Sequence, residues 1–323
     1  MPRVAIQLLT YRSLHSIARL ITCLKSQTFR DWELFAWDNS CDSREQEVVR
    51  STLTNSALSH HLIVSEQNLG FTAHNRLWQM HQAPFVLILN DDCFLEPMYL
   101  EQVMKRMERA AFGEPRSSDE RDDRCAAVTG LIYRERGNSA IDTAGLRFEC
   151  LGHVVDDHDV HLEARQVFGV SGTAALLRRS AVESVSPERL PFDPSFFMYK
   201  EDVDLAIRLK RKRYTAWLEP QAIAFHARGV KETGRGWLSR IKDELARPIH
   251  LRTQTYKNQW AIYFYHFSWE LGWKDFLWTC WHEKKRSVSL FIFGGPVAFF
   301  RTWREIITLI PGWKERGKIL RTL

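Results

Sequence analysis

Three places in the chain put chemistry-bearing side chains where a strand or helix ought to begin or end. The run Phe85-Val86-Leu87-Ile88-Leu89 is wholly apolar and delivers Asn90, Asp91 and Asp92 in succession. Adjacent carboxylates repel unless a cation or hydrogen bonds offset them, so a divalent metal is the economical explanation. Hard oxygen ligands suit Mg²⁺ or Mn²⁺, which complete their shells with substrate phosphates and water. An Asx-type turn closing a strand uses the same residues.

The second place is Phe196 to Arg208, where an aromatic run ends in Glu201 and Asp202, and Val203, Ala206 and Ile207 then fall at helical spacing. Acids in a first helical turn are good dipole partners without any catalytic duty. An ionised carboxylate there also serves as a base for a substrate hydroxyl, provided it is fixed within hydrogen-bond reach. The third is His226, an imidazole closing the stretch Ile223-Ala224-Phe225. A lone histidine after an apolar run is more often structural than a ligand.

Elements of alternating type must position these groups. Val4 to Leu9 reads as a buried strand, and Leu14, Ile17, Leu20, Ile21 and Leu24 follow on one helical face. The step recurs with strands at Glu33–Trp37, Leu62–Ser65 and Phe85–Leu89, before helices from Ser43, Thr72 and Pro97. This alternation predicts an α/β fold with a mainly parallel sheet covered by helices on both faces. In such sheets ligands bind beyond the carboxyl ends of the strands, which here carry Thr10-Tyr11, Asp38-Asn39-Ser40, Asn68 with Gly70, and Asn90-Asp91-Asp92.

The charged run Gly113–Arg124 has no apolar period and predicts an exposed loop. Beyond it come strand-like pieces at Ala126–Ile132, Val167–Val170, Thr173–Leu177 and Thr215–Leu218, with a helix over Asp202–Arg213. From Arg228 onward the pattern is helical and aromatic. The expected organisation is a catalytic domain over 1–227, its nucleotide half 1–112 and acceptor half 125–227, and a helical extension over 228–323.

The 323 residues, 45% hydrophobic and 12% aromatic, can bury a full core, which excludes global disorder. The net charge of +6 is unevenly placed: residues 228–323 hold 18 Lys/Arg against 8 Asp/Glu and 8 of the 12 tryptophans. Nucleic acid, anionic lipid and phosphorylated substrates all reward that combination. Six scattered cysteines without a C-x-x-C pair fit reduced thiols and a cytoplasmic setting. No secretory signal is expected at the start. The apolar stretch Val288–Phe300 is 13 residues long and contains Gly294, Gly295 and Pro296, too short and broken to cross a bilayer.

Taken together, these motifs resemble the inverting family 2 glycosyltransferases of the GT-A fold, particularly rhamnosyltransferase-like members that build bacterial surface polysaccharides. The resemblance spans roughly residues 4–228. Thr10-Tyr11-Arg12 is similar to the family's Thr-Tyr-Asn turn, and Asp38-Asn39-Ser40 to its Asp-Asn-x-Ser. Asn68-Leu69-Gly70-Phe71 with Asn75 follows its Asn-x-Gly-Phe-x-x-x-Asn, and Leu89-Asn90-Asp91-Asp92 its Leu-Asn-Pro-Asp, with Asp91 replacing proline. Ser171-Gly172-Thr173 matches a Ser-Gly-Ala segment, and Glu201-Asp202-Val203-Asp204-Leu205 with Arg208 reproduces the Glu-Asp-x-Asp-Leu signature. Ala227-Arg228-Gly229 follows the late His-x-x-Gly pattern loosely, and Val155-Asp156-Asp157-His158 departs from the more frequent Asp-Arg-Gly.

The resemblance implies that Asp202 is the catalytic base, with Glu201 beside it in the catalytic pair. It implies donor contacts at Thr10, Tyr11, Asp38, Asn68, Gly70, Asn75, Asn90 and Asp91, and acceptor contacts at Gly172, Thr173 and Arg208. Asp92 and His226 would hold the Mg²⁺ or Mn²⁺. A dTDP- or UDP-linked sugar, rhamnose first, would pass with inversion to a lipid-diphosphate-linked or glycan acceptor at the inner face of the cell membrane.

The aromatic tail suits peripheral membrane contact, because basic helices with large rings lie well in a headgroup layer. A helical core or a homodimer interface would use the same rings. A nicotinamide oxidoreductase is disfavoured, since Thr10-Tyr11-Arg12-Ser13 stands where G-x-G-x-x-G belongs. Nucleic acid is not the expected partner. The serious rival is a catalytically inactive relative acting as a membrane-docked partner in a polysaccharide assembly complex, motivated by Asp91 and the altered Asp-Arg-Gly region.

Overall fold

Strand Phe85–Asn90 shows why this sequence makes a covered sheet: its residues are buried on both faces, Leu87 and Leu89 joining one apolar cluster and Val86 and Ile88 another. The computed structural model describes residues 1–111, 124–134, 140–150, 152–227, 248–267 and 273–323. The run Gly113–Arg124 lies outside these except for Arg124, as do residues 228–247 and Trp269.

In chain order the described elements are β1 (Val4–Thr10), α1 (Ile17–Lys25), β2 (Trp32–Asp38), α2 (Ser43–Thr54), β3 (His60–Val64), α3 (His74–Gln79), β4 (Phe85–Asn90), β5 (Cys93–Leu95) and α4 (Tyr99–Ala111). They continue with β6 (Cys125–Tyr133), β7 (Ile141–Thr143), β8 (Leu146–Cys150), β9 (His153–Asp156), β10 (Arg165–Val167), β11 (Ala174–Arg178), α5 (Arg179–Ser184), α6 (Glu201–Arg211) and β12 (Thr215–His226). The last are α7 (Ile249–Ile262) and α8 (Trp273–Thr322), the latter interrupted at Gly295, which has φ +81° ahead of Pro296.

The main sheet runs β10-β12-β6-β11-β4-β1-β2-β3, with β5 on β12 and β7 on β6. It is parallel across β4, β1, β2 and β3 and mixed beyond, because β11 returns antiparallel between β4 and β6. Apolar side chains of α1, α2 and α4 fill one face; those of α3, α5 and α6 fill the other. Local chemistry sets the boundaries: Asp42 caps α2 by accepting from the Arg44 and Glu45 amides, each at 3.0 Å.

Several elements differ from sequence expectation. The helix expected from Thr72 begins at His74, behind a 3₁₀ turn over Gly70–Ala73 that starts with Gly70 at φ +62°. The strand expected over Val167–Val170 is Arg165–Val167, with Gly169 making a single bridge to Leu146. Strands β5, β7, β8 and β9, of three to five residues, were not foreseen, being too short to show a period.

By internal packing the chain falls into two units. One comprises 1–147, 155–197 and 201–227 among described residues; the other gathers 148–154, 198–200 and the described residues after 227. The second has its own core, with Tyr256, Ile262, Leu290, Ile306 and Trp313 buried. Tyr256 packs edge to face with Trp260 and with Trp303 within it, those two rings are tilted against each other, and Phe264 stacks on Trp313.

Candidate active site

The parallel strands deliver their carboxyl ends side by side. Thr10 pairs in register with Asp38, and Leu9 with Asn90. Thr10 and Asp38 are fully buried. Asp38 Oδ1 accepts from the Ser40 amide at 2.7 Å, while Asp38 Oδ2 and Thr10 Oγ1 have no hydrogen-bond partner among the described residues. Orphaned buried oxygens at adjacent strand ends are costly, and a donor from a bound ligand would satisfy them.

Next to them, Asn39 Nδ2 donates to the Gly70 carbonyl at 2.9 Å and its Oδ1 accepts from the Leu69 amide at 3.1 Å. Asn68 Oδ1 accepts from the Gly70 amide at 2.8 Å. These bonds fold the Asn68–Phe71 turn against Phe197, whose carbonyl accepts from the Phe71 amide at 2.7 Å. A side chain on Gly70 would meet that carbonyl at 2.3 Å, so only glycine fits. Asn75 is turned inward: its amide both donates to and accepts from the Phe192 backbone, at 2.6 and 3.1 Å.

At the end of β4, Asn90 donates its backbone N–H to the Thr173 carbonyl at 3.0 Å. Asp91 Oδ2 accepts from the Tyr11 amide at 2.8 Å, tying the ends of β4 and β1 together. Burial pushes the Asp91 carboxyl up to about 7, with the Tyr11 amide opposing and neighbouring Asp92 adding to the rise.

Asp92 is directed elsewhere. Strand β5 pairs with the end of β12, setting His226 opposite Cys93, and Asp92 Oδ1 lies 3.0 Å from His226 Nε2. The other ring nitrogen, Nδ1, is 2.7 Å from Oδ2 of the fully buried Asp142 on β7. Burial works against a charged imidazole, but hydrogen bonds with Asp142 and Asp92 outweigh it and raise His226 to about 9. The 3.0 Å between Asp92 Oδ1 and His226 Nε2 equals the edge of an octahedron with metal–ligand bonds of about 2.1 Å. The pair therefore fits two adjacent positions around Mg²⁺ or Mn²⁺, with Asp142 fixing the ring as an outer partner. Sequence reasoning missed Asp142, an isolated acid between Ile141 and Thr143 whose partner lies 84 positions away.

Asp202 opens α6. Its Oδ1 accepts from the Val203 amide at 2.8 Å and its Oδ2 from the Gly172 amide at 3.2 Å. Gly172 precedes Thr173, which holds Asn90, so Asp202 is linked through two backbone contacts to the end of β4. Phe197, Tyr199 and Lys200, just before α6, adopt φ of 59°, 67° and 72°, a rare conformation for side-chain-bearing residues that clusters at functional sites. A side chain on Gly172 would meet Phe71 at 2.5 Å. Glu201 is buried, and Thr173 Oγ1 lies 3.3 Å from Ser171 Oγ.

Arg208, expected at the acceptor, is 5% exposed and faces inward. Its guanidinium binds Asp204 at 2.9 and 2.8 Å, Ser186 Oγ, and the Pro191 carbonyl at 2.7 Å. With Asn75 it braces the loop that precedes α6. An apolar cavity between α6 and the sheet, lined by Ile88, Ala127, Leu177, Leu205 and Leu209, has Asp202 and Lys210 in its wall.

A second group of ligand-type side chains, His153, His282 and Glu283, belongs to the C-terminal unit and brings its atoms within 4.8 Å of one another. There Glu283 is already bonded to Tyr263 and Arg286, at 3.0 and 3.2 Å. Its charge is met by the Arg286 guanidinium.

A half-parallel sheet with carboxylates and a histidine gathered past its strand ends defines the GT-A class of fold. Residues 6–186 match the family described as Glycosyl transferase family 2, and the chain belongs to that family. No curated protein matches it. Among solved structures it is similar to GalNAc-T7 with UDP, GalNAc and Mn²⁺, at TM-score 0.58 and 11% identity, covering 81% of this chain and 48% of that one. It is also similar to the mannosyltransferase PcManGT from Pyrobaculum calidifontis in complex with GDP-Man and Mn²⁺, at TM-score 0.53 and 14% identity, covering 99% and 85%. The chain thus spans about half the length of the GalNAc-T7 structure. These likenesses concern the fold.

Proposed function

We propose that the protein transfers a sugar from a nucleotide diphosphate donor to an acceptor hydroxyl by a single inverting displacement, with Asp202 as the base. The observation that carries this is the tie from Asp202 through Gly172 and Thr173 to the end of β4, whose next residues include Asp92 beside His226. Asp38 and Thr10 would take the base of the nucleotide on their orphaned oxygens, and the Asn68–Phe71 turn would carry the ribose and diphosphate side. Asp202, held by two amides at a helix start, keeps its carboxylate oriented to receive the acceptor's proton. Mg²⁺ or Mn²⁺ at Asp92 and His226 would supply positive charge to the leaving diphosphate. With no covalent sugar intermediate, one displacement inverts the anomeric centre.

A UDP- or dTDP-linked sugar is the donor class, with rhamnose the first to test, and a lipid-diphosphate-linked or glycan acceptor at the inner membrane face completes the reading. The fold's likeness to structures with UDP and Mn²⁺ and with GDP-Man and Mn²⁺ supports the nucleotide-sugar part. A thermal-shift panel of nucleotide sugars, with and without Mn²⁺ or Mg²⁺, tests it: the true donor raises the melting temperature only with metal. No metal-dependent shift with any nucleotide would overturn the proposal.

A further inference from the structure

Helix α8 turns one side inward, burying Glu283, Leu290, Thr302, Ile306, Trp313 and Leu320. A surface helix normally gives its opposite side to polar residues. Here Leu277, Trp281, Val288 and Ile292 follow one another on the outer side at helical spacing, and Val297, Phe300 and Ile307 continue past the break at Gly295. Trp281 and Ile292 are each 62% exposed, Phe300 65% and Val297 71%. Contiguous apolar surface of this kind marks an interaction site.

Charge says what covers it. Between Glu283 and Glu305 there is no acidic residue, while the exposed Lys284, Lys285, Arg301 and Arg304 flank the apolar run on both sides. The Lys284 ammonium lies 5.2 Å from the centre of the Trp281 ring, so cation and aromatic share one patch. A symmetric pairing with a second copy would set these cations against their like without a carboxylate to meet them. Single-stranded nucleic acid binds on rings that stack its bases, whereas five of these seven side chains are aliphatic.

We propose that the outer face of α8, from Leu277 to Ile307, binds the surface of an anionic phospholipid bilayer. The apolar side chains enter the boundary between headgroups and acyl chains, and the lysines and arginines meet lipid phosphates. No helix of the described residues is long and apolar enough to cross a membrane, and the Gly295–Pro296 break splits the apolar run. The helix therefore lies along the surface. This inference does not depend on sugar transfer.

Co-sedimentation with vesicles tests it, comparing phosphatidylcholine alone with phosphatidylcholine containing about 30 mol% phosphatidylglycerol, enough to give a negative surface potential. The full chain should bind the anionic vesicles, bind the neutral ones far less, and be released by salt. Combined Lys284→Gln, Lys285→Gln, Arg301→Gln and Arg304→Gln should weaken binding roughly fivefold per charge. Combined Trp281→Ser, Ile292→Ser and Phe300→Ser should weaken it about tenfold per side chain. Because all these positions are exposed, circular dichroism and melting temperature should match the parent in both variants, as should nucleotide-sugar hydrolysis without vesicles. Failure of the parent chain to bind anionic vesicles would overturn the proposal. So would unchanged binding in both variants, or light scattering showing that the face instead closes a dimer. Absence of hydrolysis in the parent bears on the sugar-transfer reading alone.

Discussion

At the residue scale, the acids that stood together in sequence have separate duties in space. Asp91 faces the Tyr11 amide, Asp92 faces His226, and Asp202 is held between the amides of Gly172 and Val203. Replacing Asp202 by Asn keeps an acceptor oxygen for one of the two amides, turns an NH₂ toward the other, and removes the base. Transfer should fall by roughly 10²–10⁴-fold, the range for a positioned acid–base group. Nucleotide affinity should stay near the parent's, and a steady-state assay beside a nucleotide titration checks both. Asp142 belongs to the same scale, although its carboxylate is one shell out. Asp142→Asn should weaken Mn²⁺ binding about 10–100-fold, as outer partners of metal-bound histidines do, measured by calorimetry or manganese spin resonance. The proposed ligands Asp92 and His226 were readable as strand-end residues. Asp142 was not, because its significance is a contact across 84 positions.

At the scale of elements, the opening β-α steps were legible since each strand is an apolar run and each helix shows one apolar face. What escaped was short or decided by a single backbone angle. The turn Asn68–Phe71 is the clearest case: the sequence shows a glycine, but only the fold shows Phe197 closing over it. Gly70→Ala meets both a positive φ and a carbonyl at 2.3 Å. It should cost on the order of 1–3 kcal/mol in denaturant unfolding and lower nucleotide affinity as well. The pairing of α3 with β1 carries a pH dependence. Burial lowers His74 to about 3, and burial together with the Arg179 guanidinium lowers His81 to about 3, with the Gln7 amide between the two rings at 3.2 and 3.0 Å. Both rings are thus neutral in the fold, whereas the unfolded chain protonates them near pH 6.5. The unfolded state binds more protons below that value, so stability should be full above pH 6.5 and decline steadily toward pH 3. His81→Gln should flatten the acid side of a melting-temperature profile. A profile of equal slope in the variant would contradict the assignment.

At the scale of the whole molecule, composition separates an acidic first part from a basic, tryptophan-rich second one, and in the packing 148–154 and 198–200 join the unit that holds the described residues after 227. Those two excursions had no sequence signal, since local propensity says nothing about which core a short segment joins. Each unit buries its own apolar cluster, so ligand linkage should act unevenly. Only the first unit holds the strand-end residues proposed for donor and metal, while 8 of the 12 tryptophans follow residue 227. Adding Mn²⁺ with the matching nucleoside diphosphate at about 100 times its Kd should stabilise the first unit by roughly 2.7 kcal/mol. Calorimetry should record that shift, whereas the transition followed by tryptophan emission, dominated by the second unit, should move less. Equal displacement of both signals would mean that the two units unfold as one cooperative block.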